Sequence, residues 1–210
     1  MDAVPNGQIA EFVEAARRVG AYGLVRCSSG NLSWRIDGER MLVTASKAWM
    51  AELTPEQVVV CRLADCEPLS DRRPSNETRL HAGILRERPE MRVVLHFQSP
   101  HATALACCDP AAVDYNVILE VPFYIGPVAT VPYLPPGSEE LADAVVEAMR
   151  GHDLAMLCHH GQVTVGRDLA DALQRAAFFE LACEIILLAG DRVRALPPEA
   201  VAALRRAASV

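Results

Sequence analysis

Glu77 and His81 stand four residues apart in Pro74-Ser75-Asn76-Glu77-Thr78-Arg79-Leu80-His81. The stretch reads as a helix in which Leu80, Ile84 and Leu85 recur at helical spacing. The acid and the imidazole lie on or beside that inward stripe, where a charge is costly without a partner. After Arg88-Pro89 the period drops to two. Met91, Val93, Leu95 and Phe97 take one face of a strand; Arg92, Val94, His96 and Gln98 take the other. His96 and Gln98 therefore project side by side from the strand's end. A second apolar strand, Leu154 to Cys158, runs into His159-His160-Gly161. Imidazoles at two strand ends, with a further donor beside one of them, form the layout of a catalytic metal site. Such a site takes three protein ligands and leaves one position open. The distant ligand is His159 or His160. Glu77 beside the ion would serve as a base, and partial burial is expected to raise its pKa towards neutrality.

Two loops offer donors to an anion. Ser28-Ser29-Gly30-Asn31-Leu32-Ser33-Trp34-Arg35 reads as a donor-rich turn around a glycine, and Ala45-Ser46-Lys47 is a second small polar loop with a cation. Ser75-Asn76 lies at a helix start, where backbone N–H groups favour an anion.

The positioning elements follow in chain order. An amphipathic helix spans Asn6 to about Gly20, with Ile9, Phe12, Val13, Ala16 and Val19 inward. Leu24-Val25-Arg26 starts a strand. Asp37-Gly38 turns between two strands, and Val58 to Leu63 is a third before a charged loop, 64–73. Ser99-Pro100 opens a helix with serine as cap and proline at the first turn. The proline-rich region 113–136 permits only short or edge strands. Ser138 caps a helix to Met149, and Asp168 caps a long apolar helix ended by Gly190. A final helix starts near Pro197-Pro198. Alternating helices and strands with early antiparallel turns imply an α+β chain: a central, mainly antiparallel sheet flanked by helices.

Length and composition narrow the class. The 210 residues suit one domain. The 51% hydrophobic content is that of a globular chain. No apolar run approaches the roughly 20 residues of a membrane span. The stretch from Met1 to Gly7 lacks the basic and apolar regions of a secretory signal. A net charge of -7 with scattered Lys and Arg argues against nucleic acid, and a phosphorylated substrate would need local donors against that field. Seven cysteines without a CxxC pair read as reduced, mostly buried thiols of a cytoplasmic protein.

From about Ala10 to Leu188 these motifs resemble the class II aldolase/adducin family. The resemblance rests on Ser-Gly-Asn-Leu-Ser-Trp-Arg (29–35), Leu-Val-Thr-Ala-Ser (42–46), residues 74–81, Arg-Pro-Glu-Met-Arg-Val-Val-Leu-His (88–96), Ser-Pro-His-Ala-Thr-Ala-Leu-Ala (99–106) and His-His-Gly (159–161). It implies a three-layer fold over residues 1–210 and a homotetramer with active sites between subunits. It implies Glu77 as catalytic acid/base, and His96 and His160 on a divalent metal: zinc, with manganese or cobalt as the other candidates. Ser28, Asn31, Ser46, Ser75 and Asn76 fall where the family grips a sugar phosphate. Tyr124 best matches the tyrosine acid supplied by a neighbouring subunit; Tyr115 and Tyr133 compete. The chain departs from the family in three places. The usual His-x-His is His96-Phe97-Gln98, so Gln98 is a weak metal ligand or only an orienting group. Lys47 replaces a glycine and adds a cation near the phosphate. Asn76 stands where serine is common.

The implied reaction is reversible aldol cleavage of a ketose 1-phosphate into dihydroxyacetone phosphate and an aldehyde. Glu77 would move the C3 proton and Tyr124 the proton on the aldehyde oxygen. Epimerase and methylthioribulose-1-phosphate dehydratase chemistry are the enzymatic alternatives, and an adducin-like interaction module is the non-catalytic one.

Overall fold

The computed structural model describes residues 4–208. Residues 1–3, which open the segment read above as no secretory signal, lie outside that range. Seven strands form one sheet: β1 (Asn31–Arg35), β2 (Arg40–Thr44), β3 (Val58–Arg62), β4 (Val93–Phe97), β5 (Val128–Val131), β6 (Leu154–Leu157) and β7 (Gly161–Gly166). Their order is β3-β2-β1-β4-β7-β6-β5, and every pair is antiparallel except the edge pair β5–β6. The helices are α1 (Asn6–Ala21), α2 (Thr78–Glu87), α3 (Pro100–Ala106), α4 (Glu139–Met149), α5 (Leu169–Ala189) and α6 (Pro198–Ala208). Helices α2 and α4 pack together over β4, β5 and β6; α1, α3 and α5 pack together, with α5 lying on β4 and β7. Because helices cover it, β4 is buried along its whole length. The mainly antiparallel sheet with flanking helices is the architecture expected. Among the described residues no helix is long and apolar enough to cross a membrane.

Several helix ends follow from local chemistry. The Ser138 hydroxyl accepts from Leu141 N–H, the Asp168 carboxylate accepts from Asp171 N–H, and Gly190 at φ +54° ends α5.

Four expectations are corrected. Leu24-Val25-Arg26 is not a strand: left-handed Gly23 and Cys27 bracket it, and Leu24 C=O takes only the Gln98 N–H. Residues 31–35 are not a turn but the strand β1, paired on both sides. Ser99 does not cap α3 through its hydroxyl, which has no partner. The Glu180 carboxylate from α5 caps it instead, accepting from His101 N–H at 3.0 Å and Ala102 N–H at 2.9 Å. The cysteines are all free, as expected, but only Cys61 and Cys183 are buried; Cys27, Cys107 and Cys108 are exposed.

In the proline-rich region, residues 121–125 form one π-helical turn in which Gly126 N–H donates to Val121 C=O at 2.8 Å. The β5 strand follows it as an edge strand, as the prolines allow.

Candidate metal centre and phosphate cradle

Sheet register assembles the site. Asn31 pairs with His96, so the two side chains leave the same face. Ser33, two residues along β1, shares that face. The α2 helix lies against it and presents His81. Glu77 is not within the helix; it is the residue before its first turn, at φ −98° and ψ 11°. The chain reaches it through a turn in which Ser75 C=O accepts from Thr78 N–H and the Ser75 hydroxyl accepts from Glu77 N–H. This places the carboxylate at the mouth of α2, facing the end of β4.

Glu77, His96 and His160 converge there, with one ligand atom of each lying within 4.8 Å of the others. Glu77 Oε2 is 3.5 Å from His96 Nε2, and Glu77 Oε1 is 3.6 Å from His160 Nε2. His96 Nδ1–H donates to Gln162 C=O at 2.9 Å. In the neutral ring this leaves the Nε2 lone pair aimed at a carboxylate oxygen. Two acceptors facing one another in a site where His96 is only 1% exposed need a cation or a shared proton between them. Glu77 Oε1 is itself buried without a hydrogen bond. The donor set of two imidazoles, a carboxylate and a neighbouring amide fits a divalent metal ion.

Two glycines permit the approach. A Cβ on Gly161 would meet Phe97 O at 2.6 Å, Gln98 Cγ at 2.7 Å and His96 Cε1 at 3.2 Å. Gly30, at φ +76°, has His96 O 2.6 Å from where a Cβ would stand.

The electrostatics correct one expectation. Burial pushes the Glu77 carboxyl up, but His96, the Asn31 hydrogen bond, His160 and His81 pull it down, and the net pKa is lowered. Burial pushes His81 down to about 3 and, with the field of His96, His160 down to about 4.

The three converging groups line a cavity of about 230 Å³ together with Ser28, Ser46, Lys47, Ser75, Asn76 and Gln98. Backbone bonds tie its loops into one wall: Ser46 N–H donates to Arg73 C=O, and Ser75 N–H donates to Thr44 C=O. Asn31 also lines the cavity, but its Nδ2 donates to Glu77 Oε2 at 2.7 Å and its Oδ1 meets His81 Nε2. Lys47 sits at φ +62°, a left-handed backbone that glycine adopts more readily. His101 pairs with Glu180, and His159 is exposed with its N–H on Ala106 C=O. Tyr124 is 38% exposed, packs on Phe123 and Phe178, and lines a different cavity. Tyr115 is buried and donates to Pro110 C=O, whereas Tyr133 is exposed. Sequence reading missed the partnership of Ser33 with His81. Its only local trace is the two-residue spacing of Asn31 and Ser33, which signifies a shared face only once β1 is known to be a strand.

Fold and site together define a candidate metal centre, two imidazoles and a carboxylate beside a donor-lined cavity, on a mixed sheet. The chain belongs to the class II aldolase and adducin N-terminal domain family, which it matches over residues 10–187. It is 33% identical over 184 residues to a 5-methylthioribulose-1-phosphate/5-deoxyribulose-1-phosphate aldolase of Rhodospirillum rubrum, covering 84% of this chain and 80% of that one. It is 35% identical over 182 residues to a methylthioribulose-1-phosphate dehydratase of Methylococcus capsulatus, covering 81% and 88%. The crystal structure of YgbL from Klebsiella pneumoniae superposes with a TM-score of 0.88. That match has 27% identity and covers 97% of this chain and 100% of that one.

Proposed function

We propose that this protein is a metal-dependent lyase that cleaves a ketose 1-phosphate reversibly into dihydroxyacetone phosphate and an aldehyde. The observation that carries this reading is one cavity in which Glu77 stands between two converging imidazoles and a donor-rich wall. The Rhodospirillum relative's name supports a 5-deoxyribulose 1-phosphate, bare or substituted at C5, as substrate. Breaking its C3–C4 bond leaves a three-carbon phosphate and a two-carbon aldehyde.

His96 and His160 hold the cation, with Glu77 and Gln98 beside them; zinc is the ion proposed, and manganese and cobalt are the alternatives. When bound, the cation supplies Lewis-acid charge beside the substrate's carbonyl and hydroxyl oxygens. Ser28, Ser46, Lys47, Ser75 and Asn76, which line the cavity, bind the phosphate. Asn31, which the resemblance groups with them, bonds Glu77 and His81 instead. Glu77 Oε1, free of hydrogen bonds, exchanges the proton at C3. Tyr124 moves the proton on the aldehyde oxygen. Its exposure, and its place on a different cavity from the one Glu77 lines, support supply to a neighbouring copy in a homotetramer.

The test is product analysis. Metal-loaded protein incubated with 5-deoxyribulose 1-phosphate should release dihydroxyacetone phosphate, read by a coupled reductase. The dehydratase relative motivates the rival outcome. Loss of water from the ketose phosphate, with no three-carbon phosphate formed, would replace the aldolase reading by dehydration.

A further inference from the structure

We propose, resting on Glu77 as the proton-transfer group, that Ser33, His81 and Asn31 form a buried positioning chain that fixes the Glu77 carboxylate. On this proposal Asn31 acts on the chemical step rather than on the phosphate. Ser33 Oγ lies 2.7 Å from His81 Nδ1, His81 Nε2 meets Asn31 Oδ1, and Asn31 Nδ2 lies 2.7 Å from Glu77 Oε2. His81 and Ser33 have no exposed surface, and Asn31 is 7% exposed.

The direction of the chain follows from which atoms carry hydrogen. Asn31 Oδ1 can only accept, so His81 Nε2 bears the proton. In the neutral ring Nδ1 then accepts from the Ser33 hydroxyl. The amide is thereby locked. Turned over, it would set its oxygen against the acceptor-only carboxylate of Glu77, so the carboxylate fixes the amide and the amide fixes the His81 tautomer. Glu77 is gripped at Oε2 by a donor that cannot rotate, and Oε1 is left without a hydrogen bond on the side of His160. The three residues thus assign separate duties to the two carboxylate oxygens. His81 is also tethered to Glu77 along the chain, its N–H donating to Glu77 C=O at 3.3 Å.

A grip on phosphate and a grip on Glu77 differ in kinetics. Cobalt-loaded wild type, Asn31→Ala, His81→Leu, His81→Gln and Ser46→Ala proteins are compared for exchange of the C3 proton of dihydroxyacetone phosphate into deuterium oxide. Asn31→Ala and His81→Leu should lower kcat about 10- to 100-fold, as loss of groups orienting a metal-site residue does, with KM within about threefold. Ser46→Ala should raise KM instead. In His81→Gln the terminal amide offers an N–H to Asn31 Oδ1 and should restore most of kcat. Raised KM with unchanged kcat in Asn31→Ala would overturn the proposal in favour of a phosphate contact. The visible band of the bound cobalt is a second readout, independent of turnover. It should shift in Asn31→Ala and His81→Leu and return in His81→Gln; an unshifted band in all of them would overturn the proposal. If the wild type itself shows no exchange, the aldol reading fails, and the cobalt band still decides the positioning chain. Should His81→Leu not fold, Ser33→Ala removes one hydroxyl and should lower kcat about two- to fivefold. An unchanged kcat in that variant would count against the chain.

Discussion

His96 holds its Nδ1 2.9 Å from the Gln162 carbonyl, and this one bond decides which nitrogen faces the cavity. Gln162 lies opposite Phe97 in the β4–β7 ladder. The same strand pairing that builds the sheet therefore orients the ligand. His96→Ala should release the metal, as measured by content after dialysis.

Gln98 follows His96 by two residues and lines the cavity, where the family pattern has a second histidine. An amide oxygen is a weaker donor to zinc than an imidazole. Gln98→His should therefore tighten zinc binding by about tenfold or more, read by competition with a chromophoric chelator. Unchanged affinity would place Gln98 outside the metal's reach.

Glu77→Gln keeps the shape of the side chain, and its amide oxygen can still accept from Asn31 Nδ2. Fold and metal content should survive while turnover falls about a hundredfold or more, the range of a lost acid–base group. Near-normal turnover would remove Glu77 from the chemistry.

The buried histidines make stability fall in acid. His81 titrates at about 3 in the folded protein, against about 6.5 for an unperturbed imidazole. Between those values the unfolded chain binds the proton and the folded one does not. Stability is therefore full above about pH 6.5 and declines as pH falls towards 3, by up to about 1.4 kcal/mol per pH unit from this residue. Urea melts at pH 7, 6 and 5 should show it, and His81→Gln should flatten the decline.

Asp153 tests the scaffold apart from the site. It accepts from Arg88 at 2.8 Å and from Arg175 at 2.5 Å, and Arg175 is only 7% exposed. Removing the carboxylate in Asp153→Ala leaves the buried Arg175 guanidinium with its ion pair to Asp171 alone among the described residues. A loss of about 3 kcal/mol in urea unfolding is expected, with metal binding by the remaining folded protein unchanged.

What the sequence revealed was what is local. Ser138, Asp168 and Gly190 mark helix ends because their partners lie within a turn or so. The alternation in 91–98 marked β4 and set His96 beside Gln98. The β1 strand was hidden because Asn31 and Ser33 are unusual in a buried strand. Their burial is tolerable only through bonds to Glu77 and His81, 46 and 48 residues away. Glu180 capping α3 from 79 residues away is illegible for the same reason. The lowered pKa of Glu77 also depends on neighbours from three other segments, so burial alone gave the wrong sign.

Lys47 combines a local strain with a charge. Its left-handed backbone suits glycine better, yet the residue lines a cavity otherwise rich in neutral donors. Lys47→Gly should leave stability within about 1 kcal/mol, since relieved strain offsets the added freedom of the unfolded chain. KM for the phosphorylated ketose should rise about tenfold with kcat nearly unchanged, because a charge-assisted contact to phosphate is lost from bound substrate and transition state alike. A lysine serving only as surface charge would leave KM untouched. One assisting the chemistry would lower kcat.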